Sequence, residues 1–209
     1  MKTFLHVGCG QKRKDRTTSG FAKENWKELR FDINESNEPD YVGTMTDMSA
    51  IETSSMDALY SSHNIEHVYA HEVPKALAEF KRVLRPDGFV IITCPDIQAI
   101  CALVAEDKLT AQAYSSPAGP ITPHDVLYGH GASLAAGDLF MAHRCGFTQK
   151  VLAKTLEDSG FVSLGTAKRP GPSFDLWAVA CPVKTSLESL QELAKDHFPS
   201  SDSPGEPAS

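Results

Sequence analysis

The 209-residue sequence predicts a doubly wound α/β fold, a three-layer Rossmann-like structure in which a mostly parallel sheet lies between helices. Two observations lead to this prediction. Signals for short apolar strands alternate with signals for helices, as in strand–helix–strand crossovers, and the first strand runs directly into a glycine turn. About seven strands are predicted, at 3–7, 29–33, 40–43, 57–61, 88–94, 162–168 and 174–181.

The helices are predicted from apolar residues that recur on one face. In 71–85 the apolar residues repeat at helical spacing, and a Pro-Asp-Gly turn at 86–88 then ends the helix before an apolar strand. Further helices are predicted at about 96–106 and 148–159. The second of these begins at a threonine cap and ends at a glycine.

We expect one domain over 1–183, followed by a helix at 184–197 that opens with a capping box. Residues 198–209 are rich in Ser and Pro, so we expect a disordered tail. Within the domain, 111–147 is irregular and contains clustered His, Tyr, Gly and Pro. An irregular segment of this length inside a compact domain is typical of a functional lid.

Composition restricts the class of protein. The chain has 20 Lys and Arg against 27 Asp and Glu, a formal charge of −7, and lacks the basic face that a phosphate backbone requires. We therefore expect no nucleic-acid partner. The sequence contains neither a leader pattern nor an apolar run of membrane-spanning length, which predicts a cytoplasmic protein without a membrane partner. Oligomeric state does not follow from the sequence.

The glycine turn and a later carboxylate suggest a nucleoside cofactor. An apolar run at 4–7 meets Gly8 and Gly10, where the missing side chains allow a ligand to approach the backbone. Asp32 follows twenty-two residues after Gly10, about where such folds place the acid that binds a ribose. Arg13 occupies the place of the third glycine that a dinucleotide pyrophosphate requires, which favours S-adenosylmethionine over NAD.

Several further segments, taken in order, resemble the class I S-adenosylmethionine-dependent methyltransferases, in the small-molecule branch with a His-x-x-Glu-His segment after the fourth strand. They are 5–10, 57–68, 79–88, 95–96 and 146–148, with Leu156 and 160–161 beyond them. The resemblance covers roughly 3–181. It implies seven strands with the last antiparallel, and transfer of a methyl group to an oxygen or nitrogen atom of a small molecule.

The resemblance also implies roles for individual residues. Gly8 and Gly10 would pass under the methionine portion of the cofactor, and Asp32 would hold the ribose hydroxyls. Asp47 and Met48 would flank the adenine, while Ser62 and His63 would face the methionine or the methyl group. The segment between Gly10 and Asp32 is short and polar, so we expect a stunted first helix.

A hydroxyl acceptor also needs a base, and a histidine that titrates near neutral pH suits that role. His63 is the first candidate because of its expected position at the pocket, and His143 is the second. We expect Tyr128 and His130, both in the irregular segment, to contact the acceptor.

Two alternatives stay open. The pattern His63-x-x-Glu66-His67 also matches a metal-dependent hydrolase, but that chemistry needs the motif inside a helix and a third ligand. The motif follows a strand directly, so we expect no bound metal, with Glu66 as a helix N-terminal acid and His67 as a packed or solvated neighbour. The other alternative is a catalytically silent nucleoside-binding or scaffold protein of the same fold.

Overall fold

The computed structural model describes residues 1–169 and 171–199, which form nine strands. Seven make one sheet in the order β3-β2-β1-β4-β5-β9-β8, and β6 and β7 pair as a separate hairpin. In chain order the strands are β1 Lys2–Val7, β2 Trp26–Asp32, β3 Tyr41–Val42, β4 Met56–Ser62, β5 Leu84–Pro95, β6 Tyr114–Ser116, β7 Gly119–Ile121, β8 Ser163–Arg169 and β9 Asp175–Cys181.

Strand β9 is antiparallel to both of its neighbours, β5 and β8, whereas the pairs among β1 to β5 are parallel. The predicted fold class is therefore confirmed, and each of the seven predicted strands is present. The predicted turn at 86–88 lies inside β5, where the pairing with β4 shifts register between Met56 and Ala58.

The described residues contain seven α-helices. They are α1 Ser19–Ala22, α2 Val73–Val83, α3 Ile97–Ala105, α4 Pro123–Tyr128, α5 Gly131–Ala135, α6 Gln149–Asp158 and α7 Leu187–His197. The helices predicted at 71–85, 96–106 and 148–159 correspond to α2, α3 and α6. Asp96 and Thr148 cap α3 and α6 by accepting hydrogen bonds from amides of the first turn.

The sheet separates two cores because successive strand residues point to opposite faces. In β1, Leu5 and Val7 join a core with the apolar face of α2, whereas Phe4 joins a core with Phe21 of α1. This period of two continues in β4, β5 and β9. Helices consequently cover both faces of the sheet, as the three-layer prediction requires.

The first helix is only four residues long, as expected, and α7 covers much of the face that it leaves open. Leu190, Leu193 and Ala194 of α7 pack on the core that contains Phe21. His197 lies over the Phe21 ring with 4.2 Å between centroids, and its Nδ1 is 2.7 Å from Thr18 Oγ1. The C-terminal helix therefore takes over part of the role of a longer first helix.

The segment 111–147 is less irregular than expected. It folds into the β6–β7 hairpin, α4 and α5, and it shares a small core with α3 through Ile100, Ile121 and Val126. Its position over the carboxyl end of the sheet determines the shape of the site described below.

Of the predicted disordered tail, residues 200–209 lie outside the described residues, whereas Phe198 packs against Trp177 with 5.7 Å between ring centroids. Among the helices that the structure describes, none is long and apolar enough to cross a lipid bilayer.

His197 makes stability depend on pH. Burial lowers the pKa of His197 from 6.5 to about 4, so the unfolded chain binds the proton more readily and stability falls as the pH drops from about 6.5 to about 4. We expect wild type to lose about 2 kcal/mol more than His197→Gln between pH 7 and pH 5 in urea unfolding. His71→Gln, at an exposed histidine, is the control. Equal losses in wild type and His197→Gln would contradict this assignment.

Candidate active site

A cavity of about 450 Å³ opens at the carboxyl ends of β1, β2 and β4. Ligands of open α/β sheets bind in this crevice. We call it the first cavity. Five of the seven residues predicted to bind the cofactor line it, namely Gly8, Gly10, Asp32, Ser62 and His63.

The glycine turn needs both glycines, for different reasons. Gly8 has φ of +66°, and a Cβ there would lie 2.3 Å from the side chain of Asn64. Gly10 has φ of +50°, and among the described residues no atom lies within 4 Å of the position of its Cβ. Gly8 thus lets the turn pack against Asn64, while Gly10 keeps the backbone open to the cavity.

Asp32 connects the end of β2 to this turn. Its Oδ2 accepts a hydrogen bond from the Gly10 amide at 2.8 Å, and its Oδ1 accepts one from the Asn34 amide at 2.8 Å. The buried Arg30, which the sequence analysis did not identify, donates to the carbonyls of Gly10, Asn37 and Glu38. Together these contacts fix the turn before any ligand is bound.

Asp47 and Met48, which were predicted to flank the adenine, do not line the first cavity. Asp47 is exposed and its carboxylate accepts from the Ser49 amide, whereas Met48 is fully buried in the core. A tight turn between Thr44 and Asp47 is the reason, since it points Met45 and Thr46 toward the first cavity instead. The sequence pattern located the loop but not the residues at its tip.

A second cavity of about 280 Å³ adjoins the first, and the two share His63, His67 and Met141. His130 and His143 of the segment 111–147 line it, as do Glu66 and Asp125. Tyr128, which was predicted to contact the acceptor, lines neither cavity. Its side chain is 59% exposed and packs against His124, with the two rings tilted by 49°.

His63 stands where the cavities meet, in the left-handed backbone region with φ of +47°. Its Nδ1 is 3.6 Å from Glu66 Oε1, and its Nε2 is 3.9 Å from Asp175 Oδ2. The same oxygen of Asp175 forms an ion pair with Arg169. Burial lowers the pKa of His63, but the two carboxylates outweigh that effect and raise the pKa to about 9. At neutral pH the ring is protonated, so it lacks the lone pair that the predicted base requires.

Glu66, which was predicted to be a helix N-terminal acid, does not begin an α-helix. It lies in a single 3-10 turn, Ile65–His67, and is 1% exposed. Its main-chain carbonyl accepts hydrogen bonds from the amides of Arg144 and Cys145. These bonds attach the end of the segment 111–147 to the turn and bring His143 beside Glu66.

The rings of His67 and His143 pack edge to face, with 4.9 Å between centroids. The Nδ1 of His67 lies 3.1 Å from the Ala142 carbonyl, and the Nδ1 of His143 lies 2.7 Å from the Val126 carbonyl. Burial lowers the pKa of His143, which keeps this ring neutral at pH 7. Because a carbonyl accepts only, each Nδ1 donates, and in the neutral form of each ring the lone pair lies on Nε2.

The family model for a methyltransferase domain matches residues 5–92, the segment that contains the glycine turn, Asp32 and the turn after β4. No curated protein sequence matches the chain.

Solved structures resemble the fold over most of the chain. A possible histamine N-methyltransferase from Thermotoga maritima aligns at 12% identity and a TM-score of 0.56, covering 88% of this chain and 83% of that one. A 1,6-didemethyltoxoflavin N1-methyltransferase from Burkholderia thailandensis aligns at 14% identity and a TM-score of 0.56, and the alignment covers 87% of this chain and 71% of that one. A methyltransferase from Mesorhizobium loti aligns at 18% identity and a TM-score of 0.56, and the alignment covers 86% of this chain and 90% of that one.

Residues 5–92 match a methyltransferase domain, and the strand order and the glycine turn agree with the resemblance to the class I S-adenosylmethionine-dependent methyltransferases. The hydrolase alternative does not fit, because it uses His63 and His67 as a pair of metal ligands. Both ring nitrogens of His63 face carboxylates instead.

We expect Asp32→Asn to weaken S-adenosylmethionine binding by about 1.5–3 kcal/mol, the range for lost hydrogen bonds to a charged group. Asp47→Asn is the matched control, since Asp47 is exposed and lies outside the cavity, and its affinity should stay within about threefold of wild type. Isothermal titration calorimetry measures both. Unchanged affinity in Asp32→Asn would mean that the ribose is held elsewhere.

Proposed function

We propose that this methyltransferase acts on a small-molecule acceptor, which binds in the second cavity while S-adenosylmethionine occupies the first. The observation that carries the proposal is the junction of the two cavities at His63, His67 and Met141. A methyl donor in one cavity and an acceptor in the other would face each other across this junction.

Methyl transfer from a sulfonium depends mainly on alignment. The methyl group is already electrophilic, so the protein must hold the acceptor lone pair in line with the carbon–sulfur bond, and such positioning is worth several orders of magnitude in rate. The fixed turn at Gly8 and Gly10 supports a defined place for the methionine end. Asp32 at the end of β2, with Met45 and Thr46 nearby, is suited to the adenosine.

The size of the second cavity supports a small acceptor. Its volume of about 280 Å³ lies just below the range of typical small-molecule pockets, roughly 300–1,000 Å³. The Burkholderia structure, which holds a small-molecule substrate and S-adenosylhomocysteine, is consistent with this choice. The net charge of −7 disfavours a nucleic-acid substrate. A cytoplasmic location stays a prediction from the sequence.

The lining of the second cavity suits a polar acceptor, either a hydroxyl or an amine. Of the two histidines predicted as bases, His143 is the better candidate because its ring is neutral and its Nε2 lone pair is free. It would accept the proton of a hydroxyl directly, whereas an unprotonated amine would not require it.

Turnover of S-adenosylmethionine against panels of small hydroxyl and amine compounds tests the function. We expect at least one compound to raise S-adenosylhomocysteine production above the background without acceptor. Binding of the cofactor without turnover on any panel would favour the silent nucleoside-binding alternative. Absence of binding would overturn the assignment of the first cavity.

His130 and Tyr128 provide a matched pair in the segment 111–147. His130 lines the second cavity, whereas Tyr128 points to solvent, so His130→Ala should lower kcat/KM for the acceptor and Tyr128→Ala should not. Cofactor affinity should stay within about threefold in both variants, under roughly 0.7 kcal/mol. Steady-state kinetics with an acceptor from the panel is the measurement. Equal kinetics in the two variants would place the acceptor outside this cavity.

A further inference from the structure

The carboxylate of Glu66 is buried without a hydrogen-bond donor. Its side chain is 1% exposed, and among the described residues neither Oε1 nor Oε2 has a hydrogen-bond partner. The Nδ1 of His63 approaches Oε1 at 3.6 Å, which is an ion-pair distance longer than a hydrogen bond. A buried carboxylate in this situation carries a large desolvation cost, and a cation bound to it would offset that cost.

Two imidazoles lie beside this carboxylate in the form that binds metals. One ligand atom from each of Glu66, His67 and His143 lies within 4.8 Å of the other two. Each histidine donates its Nδ1–H to a main-chain carbonyl, so Nε2 is the nitrogen left for coordination. In metal sites the same kind of second hydrogen bond fixes the tautomer and orientation of the histidine ligands.

We propose that Glu66, His67 and His143 bind one divalent transition-metal ion at the wall of the second cavity. Two imidazoles and one carboxylate suit Zn²⁺ and its first-row neighbours, whereas Mg²⁺ and Ca²⁺ prefer oxygen ligands. Two ligand atoms that each lie about 2.0–2.2 Å from one ion are at most about 4.4 Å apart. The three ligand atoms now lie within 4.8 Å of one another, so only a small inward movement is needed to bind an ion.

This proposal differs from the expectation of no bound metal. That expectation rested on the missing third ligand and on the position of His63-x-x-Glu66-His67 after a strand. The missing ligand is His143, which the amide bonds to the Glu66 carbonyl bring into place from the segment 111–147. His63 is not part of the ligand set.

The role of the ion rests on the proposed function. All three ligands line the second cavity, so an open coordination position there would take an oxygen atom of the acceptor. The ion lowers the pKa of a bound hydroxyl, whose proton leaves to water. The oxygen then attacks the methyl carbon, the carbon–sulfur bond breaks, and neutral S-adenosylhomocysteine is released.

A metal-bound Nε2 cannot also accept a proton, so His143 is either a ligand or the direct base. If the protein binds the metal, His143 is a ligand and not the direct base. Metal binding also favours an oxygen acceptor, because an oxygen is the acceptor atom that a Lewis-acidic ion activates in this way.

Zinc binding to the full chain tests the proposal directly. After dialysis against a chelator, calorimetry with ZnCl₂ and elemental analysis should give one ion per chain. Glu66→Gln, which keeps the shape and removes the charge, should weaken binding by at least about tenfold, the lower limit seen even for outer partners of metal ligands. His143→Gln should do the same. His124→Gln, at an exposed histidine of the same segment, should bind zinc like wild type.

Wild-type protein that binds no more zinc than Glu66→Gln would overturn the site. Circular dichroism of each variant checks that the fold is intact, and zinc should raise the melting temperature of wild type but not of Glu66→Gln. Calorimetry with S-adenosylhomocysteine on the same samples separates the two proposals. If wild type binds S-adenosylhomocysteine but not zinc, the metal site alone is refuted. If wild type does not bind S-adenosylhomocysteine, the assignment of the first cavity is refuted.

Discussion

The buried carboxylate of Glu66 is the constraint on which the arrangement of the site depends. An unpaired charge in this position costs several kcal/mol, so the surrounding chain has to supply positive charge or metal. His63 supplies part of it at 3.6 Å and pairs in turn with Asp175 on β9. The main-chain carbonyl of Glu66 accepts hydrogen bonds from the amides of Arg144 and Cys145. One residue thus ties β4, β9 and the segment 111–147 together.

The strand order explains why two cavities meet at this point. β4 lies in the middle of the sheet, with β1, β2 and β3 on one side and β5, β9 and β8 on the other. β1 and β2 end at the glycine turn and Asp32, which line the first cavity. The segment 111–147 follows β5 and α3 and covers the other side. A residue that follows β4 directly, as His63 does, therefore lines both cavities.

The sequence predicted the features that depend on local patterns. Apolar runs located the seven strands, and the short, polar segment between Gly10 and Asp32 indicated the short first helix. The sequence was less informative where contacts between residues distant in the chain, or the detailed path of a loop, determine the structure. Because of the turn between Thr44 and Asp47, Met45 and Thr46 line the first cavity, whereas Met48 does not. Glu66 is polar and sits near a helix start, so nothing local indicates its burial, which comes from packing against a segment about eighty residues later.

A crystal structure of the complex with S-adenosylhomocysteine tests the central claim most directly, namely that cofactor and acceptor meet at His63. The account predicts the ribose beside Asp32, the adenine near Met45 and Thr46, and the sulfur atom directed toward the second cavity. A ligand bound with its sulfur facing away from that cavity, or with the ribose outside the reach of Asp32, would contradict it.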